Sequence, residues 1–185
     1  MDERVEIGMA LTELAAAFSG LVKVLINDGH VQLTSRRIVD AAVRVVPGCR
    51  HVGVLVVEDG QPRTVASIDA VPAQVDAIQF ACGQGPALDV LVTDDYVQVD
   101  DLASDARWPE FAKRAVEVVD VRSMISYLVH LGRCRQAVLS FYSTWPHAFD
   151  DIGVAIGKMF GAYCSLALIT QQLDDEVRPR RAAVA

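Results

Sequence analysis

The stretch Val71-Pro72-Ala73-Gln74-Val75-Asp76-Ala77-Ile78-Gln79-Phe80-Ala81-Cys82-Gly83-Gln84-Gly85-Pro86-Ala87-Leu88-Asp89 decides how this 185-residue chain is read. Pro72 sits where a helix can start, because its missing amide proton has no partner to lose in a first turn. Val71, Val75 and Ile78 then recur at helical spacing until Gly83 and Gly85-Pro86 break the run. A further short helical piece follows over Ala87 to Val92. The glycines do not build a phosphate cradle. No Lys-Ser/Thr pair follows them, the strand-to-helix setting of a dinucleotide fingerprint is missing, and Pro86 removes an N–H that an anion would use.

Toward the N-terminus, His51 to Val57 is dense in Val and Leu, and Asp59-Gly60 is a favoured two-residue turn into a second extended run, Arg63 to Ile68. This predicts a β-hairpin. Before it, a helix starts near the cap candidates Thr34 and Ser35, carries Ile38, Ala42 and Val45 on one face, and ends at Pro47-Gly48. Earlier still, Ile7, Leu11, Leu14, Phe18, Leu21 and Leu25 step by four and three along one seam of a helix that Asn27, Asp28 and Gly29 would stop. Toward the C-terminus the pattern predicts a brief strand at Tyr96 to Val99, a helix at Pro109 to Val118, and a strand over Arg122 to Leu131. Gly132-Arg133 reads as a turn and Ala137 to Tyr142 as the last strand. Asp150 and Asp151 then favour a helix start, and Ile152, Ile156, Met159, Tyr163, Leu166, Thr170 and Leu173 again step by four and three. Two long terminal helices therefore bracket a strand-rich middle. One seam can cover the sheet while leftover apolar surface pairs with a second copy in an isologous bundle. The alternative packs both helices on their own sheet.

Composition excludes several classes. A content of 52% hydrophobic and 22% charged residues is that of a globular protein. No apolar run reads as approaching the ~20 residues that span a bilayer, and the acidic start lacks the features of a secretory signal. The expected compartment is the cytoplasm. A net charge of -7 argues against a general nucleic-acid surface, and the basic cluster Arg178, Arg180 and Arg181 reads as a solvated tail. Residues 1–175 are expected to form one domain, with 176–185 a flexible tail. Cys49, Cys82, Cys134 and Cys164 lack metal-site spacing, as do His30, His51, His130 and His147, so neither a metal nor a cofactor is expected. No nucleophile elbow occurs. The acidic pairs Asp94-Asp95, Asp100-Asp101, Asp150-Asp151 and Asp174-Asp175 read as caps and loop residues rather than as metal ligands.

Four stretches in order carry a family likeness. They are Val75 to Phe80 with Gly83 to Asp89; Asp100-Asp101-Leu102 with Asp105-Ala106-Arg107-Trp108-Pro109-Glu110-Phe111; Val121 to Ser126; and Leu139 to Ser143 with Ala148-Phe149-Asp150-Asp151. With the order of elements, they resemble the GAF domain family of small-molecule sensory modules, over about residues 10 to 173. The nearest flavour is the actinobacterial type often joined to an RNA-binding antitermination (ANTAR) domain. This chain stops at Ala185 without an evident output domain, and it has Ala87 where that type often has Cys. The resemblance implies an α+β fold. Its GAF/PAS-like central antiparallel sheet of about five or six strands would carry the N- and C-terminal helices on one face and short helices and loops on the other.

The resemblance also implies a non-catalytic regulatory module in signalling or transcription control, binding a small molecule or a regulatory protein. A homodimer through the terminal helices is expected, without direct nucleic-acid or membrane contact. The ligand would lie between the sheet and segments 71–92 and 100–118. Alternation along 122–129 puts Met124, Ser126 and Leu128 on one face, Ser140 is the odd polar residue of the next strand, and Phe80 and Trp108 would wall the site. No Asn-Lys of the cyclic-nucleotide binders precedes Phe149-Asp150-Asp151, and no Cys-His pair suits a bilin. A pocket role for His130 in haem binding is set against an ordinary turn histidine. Two alternatives stand beside the sensor. One is an interaction domain with a filled pocket; the other is a thiol enzyme like the free-methionine-(R)-sulfoxide reductases, through Cys82 and Cys134.

Overall fold

In a computed structural model, the order of elements follows the hydrophobic periodicities, and residues 26–27, 30–31, 35–93, 96–131 and 136–182 are described, with Thr12 and Ser19 besides. The seam from Ile7 to Leu25, the turn at Gly132-Arg133, Cys134 and Asp94-Asp95 lie outside those residues. Two short strands, β1 (Ile26–Asn27) and β2 (His30–Val31), pair antiparallel with Asn27 opposite His30. Asp28-Gly29, the same dipeptide as at 59–60, was the sequence sign of this pair, and the helix-stop reading of Asn27, Asp28 and Gly29 passed over it.

Helix α1 (Ser35–Val45) leads into β3 (His51–Glu58) and β4 (Gln61–Ser67). Asp59 and Gly60 between the strands both have positive φ, 52° and 74°, as a two-residue hairpin whose twist matches its strands requires. Then come α2 (Val71–Cys82), α3 (Pro86–Thr93), β5 (Tyr96–Val99) and α4 (Pro109–Val119). Strands β6 (Ser123–His130) and β7 (Gln136–Ser143) precede a 32-residue helix α5 (Asp151–Ala182). Its first turn is capped where the sequence places it, with Asp150 Oδ1 accepting from the Gly153 amide at 2.8 Å. The helical backbone runs past residue 175 to Ala182.

The five-stranded sheet is antiparallel throughout, in the order β4-β3-β7-β6-β5. Its two faces are covered by different helices. Val52, Val54 and Val56 of β3, Leu139 and Phe141 of β7, and Ile125, Tyr127 and Val129 of β6 form one core with Ile38, Val39 and Ala42 of α1 and Ile156, Phe160, Cys164 and Ala167 of α5. Phe141 stacks edge-on against Phe160 and Tyr127, with centroids 6.3 and 5.8 Å apart. The Tyr127 hydroxyl donates to the Val154 carbonyl at 2.7 Å, and a Cβ at Gly157 would collide with that ring. The polar groups of this face are satisfied in the same way at its end, where Ser123 donates to the Trp145 carbonyl at 2.7 Å and Ser143 accepts from the Trp145 amide at 3.3 Å.

The expectation about apolar runs is corrected by α5. Asp151–Thr170 is long and apolar enough to cross a bilayer, with mean hydropathy 1.7. Small residues raise its hydropathy without the continuous Leu/Ile run that catches the eye, and its apolar side chains Ile156, Phe160, Cys164 and Ala167 are spent on the sheet.

Candidate functional site

The other face of the sheet lies under α2, α3 and α4. Alternation brings Gly53 of β3, Ser140 of β7, Ser126 of β6 and Val97 of β5 into one row across it. Ser126 and Ser140 stand directly opposite each other, and their buried hydroxyls share a hydrogen bond of 2.8 Å. On one side of this pair, Met124 packs with Trp108, Phe111, Val75 and Tyr142. On the other, Leu128 and Phe80 pack against Leu55, Ala87, Val90 and Val138. The six residues singled out from the sequence therefore share one face, in two apolar clusters flanking a hydroxyl pair. The space expected between the sheet and segments 71–92 and 100–118 is filled at these residues: Met124 and Ser126 are 0% exposed, Ser140 2% and Trp108 4%.

Four further residues complete the polar part of this face, and the sequence reading passed over them. The buried stripe of α2 is Pro72, Val75, Asp76 and Gln79, a spacing of three, four and seven that places two polar side chains where a helix normally buries apolar ones. Thr64 Oγ1 donates to Asp76 Oδ2 at 2.7 Å, and the Tyr142 hydroxyl faces Asp76 Oδ1 at 3.5 Å. Burial pushes the Asp76 carboxyl up to about 6 against the pull of these two hydroxyls. Burial, then the neighbouring Asp76 charge, holds the Tyr142 phenol well above its usual range, while a hydrogen bond with Ser140 acts the other way. A polar chain thus runs across the face through Thr64, Asp76, Tyr142, Ser140 and Ser126, with hydrogen bonds at Thr64–Asp76, Tyr142–Asp76 and Ser140–Ser126. A cleft of about 240 Å³ lined by Leu55, Pro62, Thr64, Ala73, Asp76, Ala77 and Phe80 opens onto its outer end.

Gln79 is the fourth residue. It is fully buried; its Oε1 accepts from the Ala87 amide at 2.8 Å, and its Nε2 has no hydrogen-bond partner. It also explains the glycine loop. Gly85 has φ 143°, a conformation that side chains rarely adopt, and a Cβ there would overlap the Gln79 side chain. The loop is wrapped around an amide rather than around an anion.

The stretch 100–111 proves to be a brace for this face. Asp101 takes a two-pronged pair of hydrogen bonds from Arg122, at 2.9 and 2.8 Å, and that contact holds its carboxyl below the usual range. Arg107 binds Asp105 and lies 4.2 Å over the Trp108 ring, while Trp108 Nε1 donates to Asp89 Oδ2 of α3 at 3.1 Å. Trp108 therefore ties α3 to the start of α4. Burial pushes the thiols of Cys49 and Cys164 up to about 12, which keeps them protonated and poorly nucleophilic. Cys82 is half-buried at the end of α2. Among the described residues no group of three or more His, Cys, Asp or Glu is placed to hold a metal ion. The face offers hydroxyls, a carboxyl and a carboxamide, which can bind and orient.

A family model described as GAF domain matches residues 30–169. Among solved structures, the GAF domain of an Acinetobacter phosphoenolpyruvate-protein phosphotransferase aligns with a TM-score of 0.59 at 12% identity, over 91% of this chain and 98% of that one. The GAF domain of a two-component sensor histidine kinase from Bacillus halodurans aligns with a TM-score of 0.55 at 10% identity, over 76% and 97%. The type II free methionine-R-sulfoxide reductase of Thermoplasma acidophilum aligns with a TM-score of 0.52 at 15% identity, over 70% and 86%. At such identities the likeness is one of fold. No curated protein matches the sequence.

Proposed function

The chain belongs to the GAF domain family, and on that premise we propose that it is a non-catalytic regulatory module whose effector acts on the sheet face under α2, α3 and α4. GAF domains occur in sensor kinases and other signalling proteins. The observation that carries the reading is the polar content of this buried face. A layer with only a structural task gains nothing from a carboxyl, a carboxamide with an unmet donor, and a hydroxyl pair, because buried polar groups stabilise only when fully satisfied. The element that responds is α2 with the glycine loop and α3. Gly83, in the left-handed conformation at φ 62°, and Gly85 give it hinges, and lifting it would present Gln79 Nε2 and the serine pair to an effector.

A thermal-shift screen of small metabolites tests this directly. A compound that raises the melting temperature of the parent protein but not of the Ser126→Ala/Ser140→Ala variant supports a small-molecule effector. A compound that acts equally on both removes the serine pair from the site. A second reading, an interaction domain with a filled face and a regulatory protein as effector, is favoured by the zero exposure of Met124 and Ser126. It is the reading that survives if no compound stabilises the parent.

The finer assignment is to the actinobacterial type found with ANTAR domains, acting in transcription control in the cytoplasm, and it rests on the four sequence stretches above. A homodimer through the terminal helices is supported by Leu166 and Ile169, 50% and 38% exposed on α5 while Phe160, Cys164 and Ala167 face the core. Sedimentation at high concentration checks it, and a monomer contradicts it. The thiol-enzyme alternative now depends on Cys82 and Cys134. Turnover of free methionine sulfoxide that is lost on Cys82→Ser would revive it; no turnover by the parent removes it.

A further inference from the structure

The outer end of the polar chain meets solvent where its inner end does not. Asp76 forms part of the lining of the 240 Å³ cleft, with Thr64 beside it and Leu55, Pro62, Ala73, Ala77 and Phe80 as apolar walls. Asp76 is only 5% exposed, and among the described residues it has no cationic partner. Arg63 lies between Pro62 and Thr64 in sequence, but it pairs with Val56 and so belongs to the opposite face of the sheet. Two hydroxyls reach the carboxyl, and a carboxylate has about four acceptor sites. What remains unmet is positive charge and about two hydrogen-bond donors.

We propose that the cleft over Asp76 is a recognition site for a small primary amine, with the ammonium on the carboxylate and a short apolar body against Leu55, Ala77 and Phe80. A buried carboxylate without a counter-ion is costly, and a bound ammonium removes that cost by supplying both the charge and the donors. The cleft is smaller than the ~300–1,000 Å³ typical of drug-sized sites, so the amine is a small one. The site adjoins the face assigned above to the effector but does not depend on that face opening, since the cleft is already accessible with α2 in place.

Isopentylammonium chloride is a suitable probe and isopentanol its neutral counterpart, titrated into the full-length ¹⁵N-labelled chain at pH 8. The expected result is saturable shifts of the Thr64, Ala73, Ala77 and Phe80 amides, with the alcohol binding about tenfold more weakly or worse, the difference made by one charge-assisted contact. Asp76→Asn should remove the preference for the amine. Ala77→Leu, an exposed position on the rim, should weaken both probes while leaving the melting temperature unchanged. Equal binding of amine and alcohol, a preference that survives Asp76→Asn, shifts centred elsewhere, or no binding by either probe would each overturn the proposal. Because this titration probes a closed domain and the metabolite screen is read through Ser126 and Ser140, failure of one leaves the other standing.

Discussion

The two faces of the sheet are made from the same strands and serve different ends. Under α1 and α5, alternate residues of β3, β6 and β7 are mainly Val, Ile, Leu, Phe and Ala, with one tyrosine whose hydroxyl is satisfied and with Ser123 and Ser143 at the strand ends, each bonded to the Trp145 backbone. Under α2, α3 and α4, the intervening residues of those strands include Ser126, Ser140 and Tyr142, and α2 adds Asp76 and Gln79. The first face is built to be stable in one arrangement. The second gives up part of that stability to hold polar groups in place, as sites of recognition commonly do.

The largest expected effect lies on the first face. Phe160→Ala empties a fully buried position against Phe141 and should lower the unfolding free energy by about 3–5 kcal/mol in urea titrations. A loss below about 1 kcal/mol would mean that α5 does not anchor the sheet. On the second face, Asp76→Asn should change stability in the opposite direction at neutral pH. The folded carboxyl titrates at about 6 against 3.8 for the free group, so between those values the folded protein binds more protons than the unfolded chain. This contribution to stability is therefore full below pH 3.8 and is lost as pH rises through 6, by at most about 3 kcal/mol. Asn abolishes the slope, making the variant the more stable at pH 8 and not at pH 4; identical pH profiles would show that Asp76 is not buried as a charge.

A smaller effect is expected at the loop. Gly85→Ala must strain φ and press on Gln79, at a cost of about 1–3 kcal/mol, read as a lowered melting temperature. An unchanged value would separate the loop from Gln79. The smallest effect should come from the serine pair. Ser140→Ala alone strands the Ser126 hydroxyl and should cost about 1–2 kcal/mol, whereas the double change to Ala should fall closer to the parent.

Most of the first face was legible in the sequence because its signal is periodic: the Val-rich strand at 52–56, the turn at Asp59-Gly60 and the four-three steps of α5 each point to one element. The helix-loop-helix at 71–93 was legible from Pro72, Gly83 and Pro86. The β1–β2 pair escaped because strands of two residues have no period and Asp28-Gly29 also fits a helix stop. The candidate site was half legible. Alternation found Met124, Ser126, Leu128 and Ser140, but reading α2 by its apolar residues alone selected Val71, Val75 and Ile78, and this hid the stripe of Pro72, Val75, Asp76 and Gln79 that faces the sheet. Polar residues at core positions were the signal there. Contacts far apart in sequence, such as Tyr142 with Asp76 or Trp108 with Asp89, leave no local trace at all.

Native-state hydrogen exchange tests the division between the faces most directly. Amides of Val75 to Phe80 in α2 should exchange through an opening well short of global unfolding, while those of Ile156 to Phe160 in α5 should exchange only with it. Equal opening free energies in the two helices would contradict a stable face paired with a responsive one.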